Sequence, residues 1–293
     1  MTISSTIAVI FDFDDTLVPD STTLFLKSHK ISPTKFWNEV AKELVPRGYD
    51  STLGFLKHFL DYIGPDKPLG CITNHDLNEF GKSLDPLFYP GIVQLVKELK
   101  SDASKVQVDV KFFIISGGLE EIIIGSSIVK NNFDGVYGCE LEEAGDPPRL
   151  VYIKRAINFT EKTRYIYEIN KGITPEESAK NPILVNKDIK EENRPIPIHN
   201  MIYIGDGLTD IPCFSLLSKN KIPGRTFGVR DKRKKDRGLT KYLGILIPKR
   251  VMGIYQPDYR RSADLGSWIR VAVSEYCMRI ISEKKAEASL LKN

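Results

Sequence analysis

Ile7-Ala8-Val9-Ile10-Phe11-Asp12-Phe13-Asp14-Asp15-Thr16 begins with an apolar, branched run that passes straight into three carboxylates. A run this short reads as a strand buried on both faces rather than as an amphipathic helix. Two other stretches are built the same way: Val110–Ser116 (VKFFIIS) and Met201–Asp206 (MIYIGD). Each ends in a polar cluster, and amphipathic helical patterns follow the last two, over Leu119–Lys130 and Leu208–Lys219. Strands alternating with helices imply an α/β fold, a doubly wound and mostly parallel sheet with helices on both faces. Ligands bind such sheets beyond the carboxyl ends of the strands, where all three polar clusters fall.

The segment from Ser21 to Tyr89 has no comparable strand run. It reads as short helices broken by Pro33, Pro46–Gly48, Gly64–Pro65 and Pro68–Gly70. Pro90 suits the first turn of a helix running through Val93, Val96 and Leu99. The expected organisation is a core of residues 1–20 and 90–293 with a small helical cap domain over 21–89. Tyr137 to Ile157 reads as strands around a turn at Ala144–Pro148. Ser178–Asn200 reads as a loop with one short element around Ile183–Val185. Arg270 to Lys284 reads as a terminal helix, with fraying from Lys285 to Asn293.

Composition excludes several classes. With 41% hydrophobic residues in 293, the chain can bury a sizeable core. Its net charge is +4, and the run Arg230–Arg237 (RDKRKKDR) alone carries an excess of four. The remainder is close to neutral, which argues against a nucleic-acid-binding surface. The basic run lacks interleaved aromatic residues and reads as a solvated loop. No stretch approaches the roughly 20 apolar residues of a membrane helix, and the N-terminus lacks the pattern of a secretory signal. Cys71, Cys139, Cys213 and Cys277 form no CxxC pattern and read as free thiols. A soluble protein of the reducing cytoplasm is expected, with no membrane partner.

Alternation puts Asp12 and Asp14 on one face of an extended strand tip. Carboxylates so close repel unless a cation or a proton lies between them. That suits a nucleophile at a metal beside a proton-transfer group, although an acidic turn would look similar. Ile204-Gly205-Asp206-Gly207-Leu208-Thr209-Asp210 also follows a strand and opens a helix, which sets Asp210 one turn beyond Asp206. Magnesium takes hard oxygen ligands and keeps several waters, so one or two carboxylates suffice. Compensation of the helix dipole is the plainer alternative. Ser116-Gly117-Gly118 could hold a phosphate oxygen through a hydroxyl and backbone N–H groups, or be an ordinary turn. Lys162, at the start of another helix, could neutralise phosphate or simply be solvated.

Taken in order, these four pieces resemble the haloacid dehalogenase (HAD) superfamily. The resemblance spans Ile7 to Asp210. It implies Asp12 as nucleophile and Asp14 as general acid and base. Ser116, Gly117 and Lys162 would bind the phosphate, with Lys154 a weaker rival for the lysine role. Asp12, Asp206 and the main-chain carbonyl of Asp14 would hold Mg2+, with Asp210 binding it directly or through water. The helical insertion resembles the cap of phosphoserine-phosphatase-like members. Those members carry Asn before the last Asp, where Thr209 stands here, which puts phosphoserine itself in doubt as the substrate. An acid two residues after the nucleophile goes with phosphoryl transfer rather than dehalogenation. The resemblance therefore implies a magnesium-dependent phosphatase acting on a small phosphorylated metabolite through an aspartyl-phosphate. The alternatives are a phosphotransferase or mutase with the same Asp pair, or a non-catalytic HAD-like binding protein. Arg47, in the insertion, is the candidate for recognising an anionic substrate group.

Overall fold

The computed structural model describes residues 4–231 and 249–290. The basic run lies outside them from Lys232 onward. The elements are, in order, β1 (Thr6–Phe11), α1 (Ser21–Ser28), α2 (Pro33–Glu39), α3 (Ser51–Asp61), α4 (Asn74–Lys82) and α5 (Ile92–Ser104). Then follow β2 (Asp109–Leu119), α6 (Glu120–Gly125), α7 (Ser127–Asn132), β3 (Gly135–Ala144), β4 (Arg149–Arg155), α8 (Glu161–Lys171) and α9 (Pro175–Lys180). β5 (Met201–Gly205), α10 (Ile211–Ser218), β6 (Arg225–Val229), β7 (Ile254–Tyr255) and α11 (Asp264–Leu290) complete the described chain.

The strands form one sheet in the order β4-β3-β2-β1-β5-β6-β7. Every pairing is parallel except β3 with β4. The three apolar runs are the adjacent strands β2, β1 and β5. Residues Ile7 to Phe11 are wholly buried, as expected of a central parallel strand covered on both faces. α5 packs with α11, and α8 with α10, to flank the sheet. Register is the feature that matters for a site. Phe11 pairs with Ile114 on one side and Ile204 on the other. The polar residues just beyond these partners, Asp12, Ser116 and Asp206, therefore stand near one level at the strand tips.

Several boundaries differ from the sequence reading. β2 continues to Leu119, so Ser116-Gly117-Gly118 is extended strand rather than a turn into a helix. The helix expected over Leu119–Lys130 is two, parted at Ser126, whose hydroxyl accepts from the Val129 N–H at 3.2 Å and donates to Asp85 at 2.6 Å. Pro90 precedes α5 instead of opening it. Gly91 takes the cap position at φ 89°, where a Cβ would meet the Arg260 backbone N at 2.4 Å. α9 was not expected. Pro175 at its first turn and a reciprocal Thr174–Glu177 capping box account for it. A short 3-10 turn, Leu208–Asp210, precedes α10, and α11 reaches Leu290 where fraying was expected. No described helix is long and apolar enough to cross a membrane. All four cysteines are free thiols.

Residues 21–89 are helical, as their punctuation implies. Asp20, Ser32 and Asp50 cap α1, α2 and α3 through their side chains, and Thr73 with Asp76 forms a capping box on α4. Phe25, Phe36, Phe55 and Phe59 are buried against one another. α4 is fastened to α6: a Cβ on Gly81 would stand 2.2 Å from the Ile122 carbonyl oxygen and 2.8 Å from the Gly125 Cα.

Candidate active site

A cavity of about 300 Å³ opens over the tips of β1, β2 and β5. Asp12, Asp14, Ser116, Gly117, Lys162, Asp206 and Thr209 all line it. The two aspartates of the first cluster share the cavity, while Phe13 between them is buried and turned against Phe88.

Lys162 is the electrostatic centre. It projects from the first turn of α8 with about 1% of its surface exposed. Its Nζ lies 3.0 Å from Asp12 Oδ1 and 2.7 Å from Asp210 Oδ1. Burial works against its charge, but Asp12 and Asp210 outweigh burial and hold its pKa above the ordinary lysine value. The lysine is a cation throughout the neutral range. The rival Lys154 lies on the exposed side of β4, paired with Glu140 at 2.9 Å.

Asp12 follows β1, and its backbone N–H donates to the Ile204 carbonyl at 2.8 Å, which ties it to β5. Its Oδ1 also accepts from the Phe13 N–H at 2.8 Å. Burial pushes its carboxyl well above the ordinary carboxylate value. Lys162 pulls the other way, and Asp210, Asp206 and Asp14 add to the rise. This is a carboxylate that gains from any further cation.

Asp14 lines the same cavity. Its Oδ1 accepts from the Ser21 N–H at 2.7 Å. Its Oδ2 lies so close to Gly118 that a Cβ there would meet it at 2.6 Å. Gly118 is thus the residue that lets Asp14 approach β2 beside Ser116. Burial, reinforced by Asp20 and opposed by the Ser21 N–H, pushes the Asp14 carboxyl up to about 7. Asp15 takes a left-handed backbone, φ 59°, which aspartate tolerates better than most residues. Its Oδ1 accepts from the Asp20 N–H at 3.0 Å, folding the loop back over the site.

Asp210 is wholly buried and fully engaged. Its Oδ1 accepts from Lys162 and from the Tyr203 hydroxyl at 2.8 Å, and its Oδ2 accepts from the Gly207 N–H at 3.0 Å. Gly205 makes room for it, since a Cβ there would stand 2.5 Å from the Asp210 Cγ. Oxygens of Asp12, Asp206 and Asp210 all lie within 4.8 Å of one another. This hard-oxygen set fits magnesium or a similar cation.

Tyr203 is absent from the sequence reading. The available signal was a hydroxyl-bearing residue inside a buried strand, two positions before Gly205 and facing the same way. Burial and Asp210 raise its pKa, so it remains a donor. Asn158 was also missed: its Oδ1 accepts from the Glu161 N–H at 3.0 Å and the Thr160 hydroxyl at 3.1 Å, which sets the start of α8. Cys139 joins β2 to the loop between β4 and α8, donating to the Gly117 carbonyl and accepting from the Ile157 N–H. Arg47 is not in the cavity wall. It is the last residue of a 3-10 turn, Val45–Arg47, that ends at Gly48 with φ 91°; it is exposed and places its guanidinium 5.8 Å from the centre of the Tyr49 ring.

The architecture is an α/β fold with a mostly parallel seven-stranded sheet, and a solved structure shares that fold. A HAD family hydrolase from Salmonella enterica serovar Typhi superposes with TM-score 0.50 at 16% identity, covering 77% of this chain. The chain spans 63% of that protein's length. A gene product of Archaeoglobus fulgidus superposes less closely, with TM-score 0.41 at 12% identity over 76% of this chain and 73% of that one. No family model matches the sequence. An uncharacterized protein of Borreliella burgdorferi is 30% identical, covering 72% of this chain and 78% of that protein, and the chain belongs to one family with it.

Proposed function

We propose that the protein is a magnesium-dependent phosphatase that hydrolyses a small phosphate monoester through an aspartyl-phosphate at Asp12. The observation that supports this most is the buried Asp12–Lys162–Asp210 ion cluster, sharing one cavity with Asp14 and Ser116. An oxygen of Asp12 bonds to phosphorus as the bond to the leaving oxygen breaks, and protonated Asp14 gives that oxygen its proton. Asp14, now a carboxylate, takes a proton from water as the water attacks the acyl phosphate. Phosphate leaves and Asp12 is restored. Ser116, the Gly117 backbone and Lys162 hold the non-transferring oxygens, because positioning and charge neutralisation dominate this chemistry. Asp12 and Asp206, with the main-chain carbonyl of Asp14, would hold the magnesium ion, which offsets repulsion between carboxylate and phosphate dianion. Asp210, committed to three donors, fits the role of orienting Lys162 better than that of a direct ligand.

Segment 21–89 acts in this reading as a cap. α1, α2 and α3 supply Thr22, Trp37, Ser51, Thr52 and Phe55 to the cavity wall, and α4 anchors the segment to α6. Closure excludes bulk water and strengthens the charge interactions around the phosphate.

The direct test is phosphate release from an aryl phosphate by purified protein. Turnover should require magnesium and fall at least about a hundredfold in excess EDTA. Calcium should restore it poorly, since its larger and looser shell misplaces the nucleophile. Full activity in EDTA would exclude the metal, and silence on every phosphate ester would exclude the phosphatase.

Tyr203→Phe offers a second, subtler check. It removes one donor from buried Asp210, which costs on the order of 1–2 kcal/mol. With Asp210 anchored only by the Gly207 N–H besides Lys162 itself, Lys162 is held less well, and kcat should drop about tenfold with KM nearly unchanged. Steady-state kinetics would show it. An unaltered kcat would mean that Lys162 needs no such support.

A further inference from the structure

Apart from Lys162, Asp206 and the aspartates of the loop after β1 (Asp12, Asp14, Asp15 and Asp20), the cavity wall is built from neutral side chains. The helical segment contributes Thr22, Trp37, Ser51, Thr52 and Phe55, and the loop between β4 and α8 adds Ile157, Asn158 and Phe159. Among the described residues Lys162 is the one cation on the wall, and it is held by Asp12 and Asp210. Arg47, the basic group that could have reached an anion from the helical segment, points elsewhere.

The neutral groups are arranged in two kinds. The Trp37 indole N–H donates to Thr23 Oγ1 at 2.9 Å, so its polar edge is spent and the ring can offer only its face and apolar edge. Phe55 lies beside it, with ring centroids 5.4 Å apart and planes at 37°. Such a surface takes up the C–H face of a ligand, whose hydrogens are slightly positive against the aromatic face. The same lining carries groups that can hydrogen-bond, with Ser51 and Thr52 one turn from Phe55 on α3. Thr52 Oγ1 reaches the Ile157 carbonyl at 3.5 Å, a long contact from a group that can also accept. Asn158 has its Oδ1 committed to the start of α8, which leaves the Nδ2 group as its remaining donor. Ser51 adds a hydroxyl that both donates and accepts.

Resting on the phosphatase reading above, we infer that the substrate is the phosphate monoester of a small polyhydroxy alcohol or sugar whose leaving group carries no second anionic group. Hydroxyls match Ser51, Thr52 and Asn158 donor for acceptor, and the carbon face of a polyol or sugar lies on Trp37 and Phe55. A cavity of about 300 Å³ is at the small end for ligand sites, which fits a substrate of that size. A carboxylate in the same place would be stripped of water with no free cation among the described lining residues to receive it, a cost that discriminates strongly.

The test uses the full chain with magnesium and a matched pair of substrates. Glycerol 3-phosphate and 3-phosphoglycerate differ by a CH2OH in place of a carboxylate. Ribose 5-phosphate represents the sugars, and 4-nitrophenyl phosphate gauges the amount of active protein. The expected result is a kcat/KM for ribose 5-phosphate and glycerol 3-phosphate at least about tenfold above that for 3-phosphoglycerate. Asn158→Ala and Thr52→Val should each raise KM for ribose 5-phosphate about five- to tenfold and narrow that gap. Turnover of the aryl ester with 3-phosphoglycerate equal to or better than glycerol 3-phosphate overturns the inference alone. So does a gap that neither variant changes. Absence of turnover on every ester, the aryl one included, overturns the phosphatase reading and this inference with it.

Discussion

Asp12→Asn is expected to bring turnover below detection, a loss on the order of 10⁴-fold or more, in a protein that still folds. An amide cannot form the acyl phosphate, and nothing else in the cavity stands where Asp12 does at the tip of β1. The substitution should also be harmless to stability. Burial raises the Asp12 carboxyl pKa in the folded protein, so the folded state binds its proton more tightly than the unfolded chain does. Stability is then lost as pH climbs from the unfolded value through the folded one. Asn removes that cost, while Lys162 keeps Asp210 as partner at 2.7 Å. In metal-free buffer near neutral pH the variant should melt no lower than the parent. Phosphate release together with a thermal melt checks both halves. Near-normal turnover in a folded Asp12→Asn protein would end the mechanism.

What made the fold legible was burial of the central strands on both faces. Ile7–Phe11, the apolar part of β2 and Met201–Ile204 need no polar alternation, so they show as continuous apolar runs. Boundaries were less visible wherever a tertiary contact overrode local pattern. β2 runs on through Gly117 and Gly118 to Leu119, which pairs with Cys139 beyond an irregularity in the β3 ladder. The break at Ser126 depends on Asp85, a residue from a distant part of the chain. Gly91 sits where it does because Tyr259 and Arg260 press against it. None of these partners is visible from the local sequence.

The candidate site divides along the same line. Asp12, Asp14 and Asp206 follow strand ends and Ser116 lies at their level in β2, so their place follows from topology and register. Lys162 comes from a helix, and only its burial against Asp12 and Asp210 separates it from an ordinary surface lysine such as Lys154. Arg47 shows the converse. Rarity of arginine in the first part of the chain made it conspicuous, yet spacing carries no information about the direction in which a loop side chain points, and it lies over Tyr49. Tyr203 and Asn158 were hidden because their work is to hold other residues. A hydroxyl in a buried strand and an asparagine before a helix are both common for local reasons.

Asp14→Asn is expected to separate the two halves of the reaction. The nitrophenolate released from an aryl ester needs no proton, so attack by Asp12 should survive and release a burst of about one equivalent of nitrophenol. The acyl phosphate then waits for a water that no base activates, and steady turnover should fall on the order of 10²- to 10⁴-fold. A sugar or polyol phosphate, whose leaving oxygen does need the proton, should show no burst. The parent should show the matching pH dependence. Burial first, then Asp20, lifts the Asp14 carboxyl to about 7. The acid form is needed for the first step, so cleavage of an alkyl phosphate should slow as pH rises through that region, while hydrolysis of the acyl phosphate should quicken. A bound cation beside Asp12 favours the carboxylate and moves both limbs to lower pH. Stability carries the same signature. Because the folded-state pKa is the higher one, the metal-free parent should lose stability between the ordinary value of 3.8 and about 7, and Asp14→Asn should flatten that slope. Rapid-quench detection of nitrophenol and thermal melts across that pH window measure the two effects. A variant that turns over alkyl and aryl phosphates at equal fractions of the parent's rate, with no burst, would remove Asp14 from proton transfer.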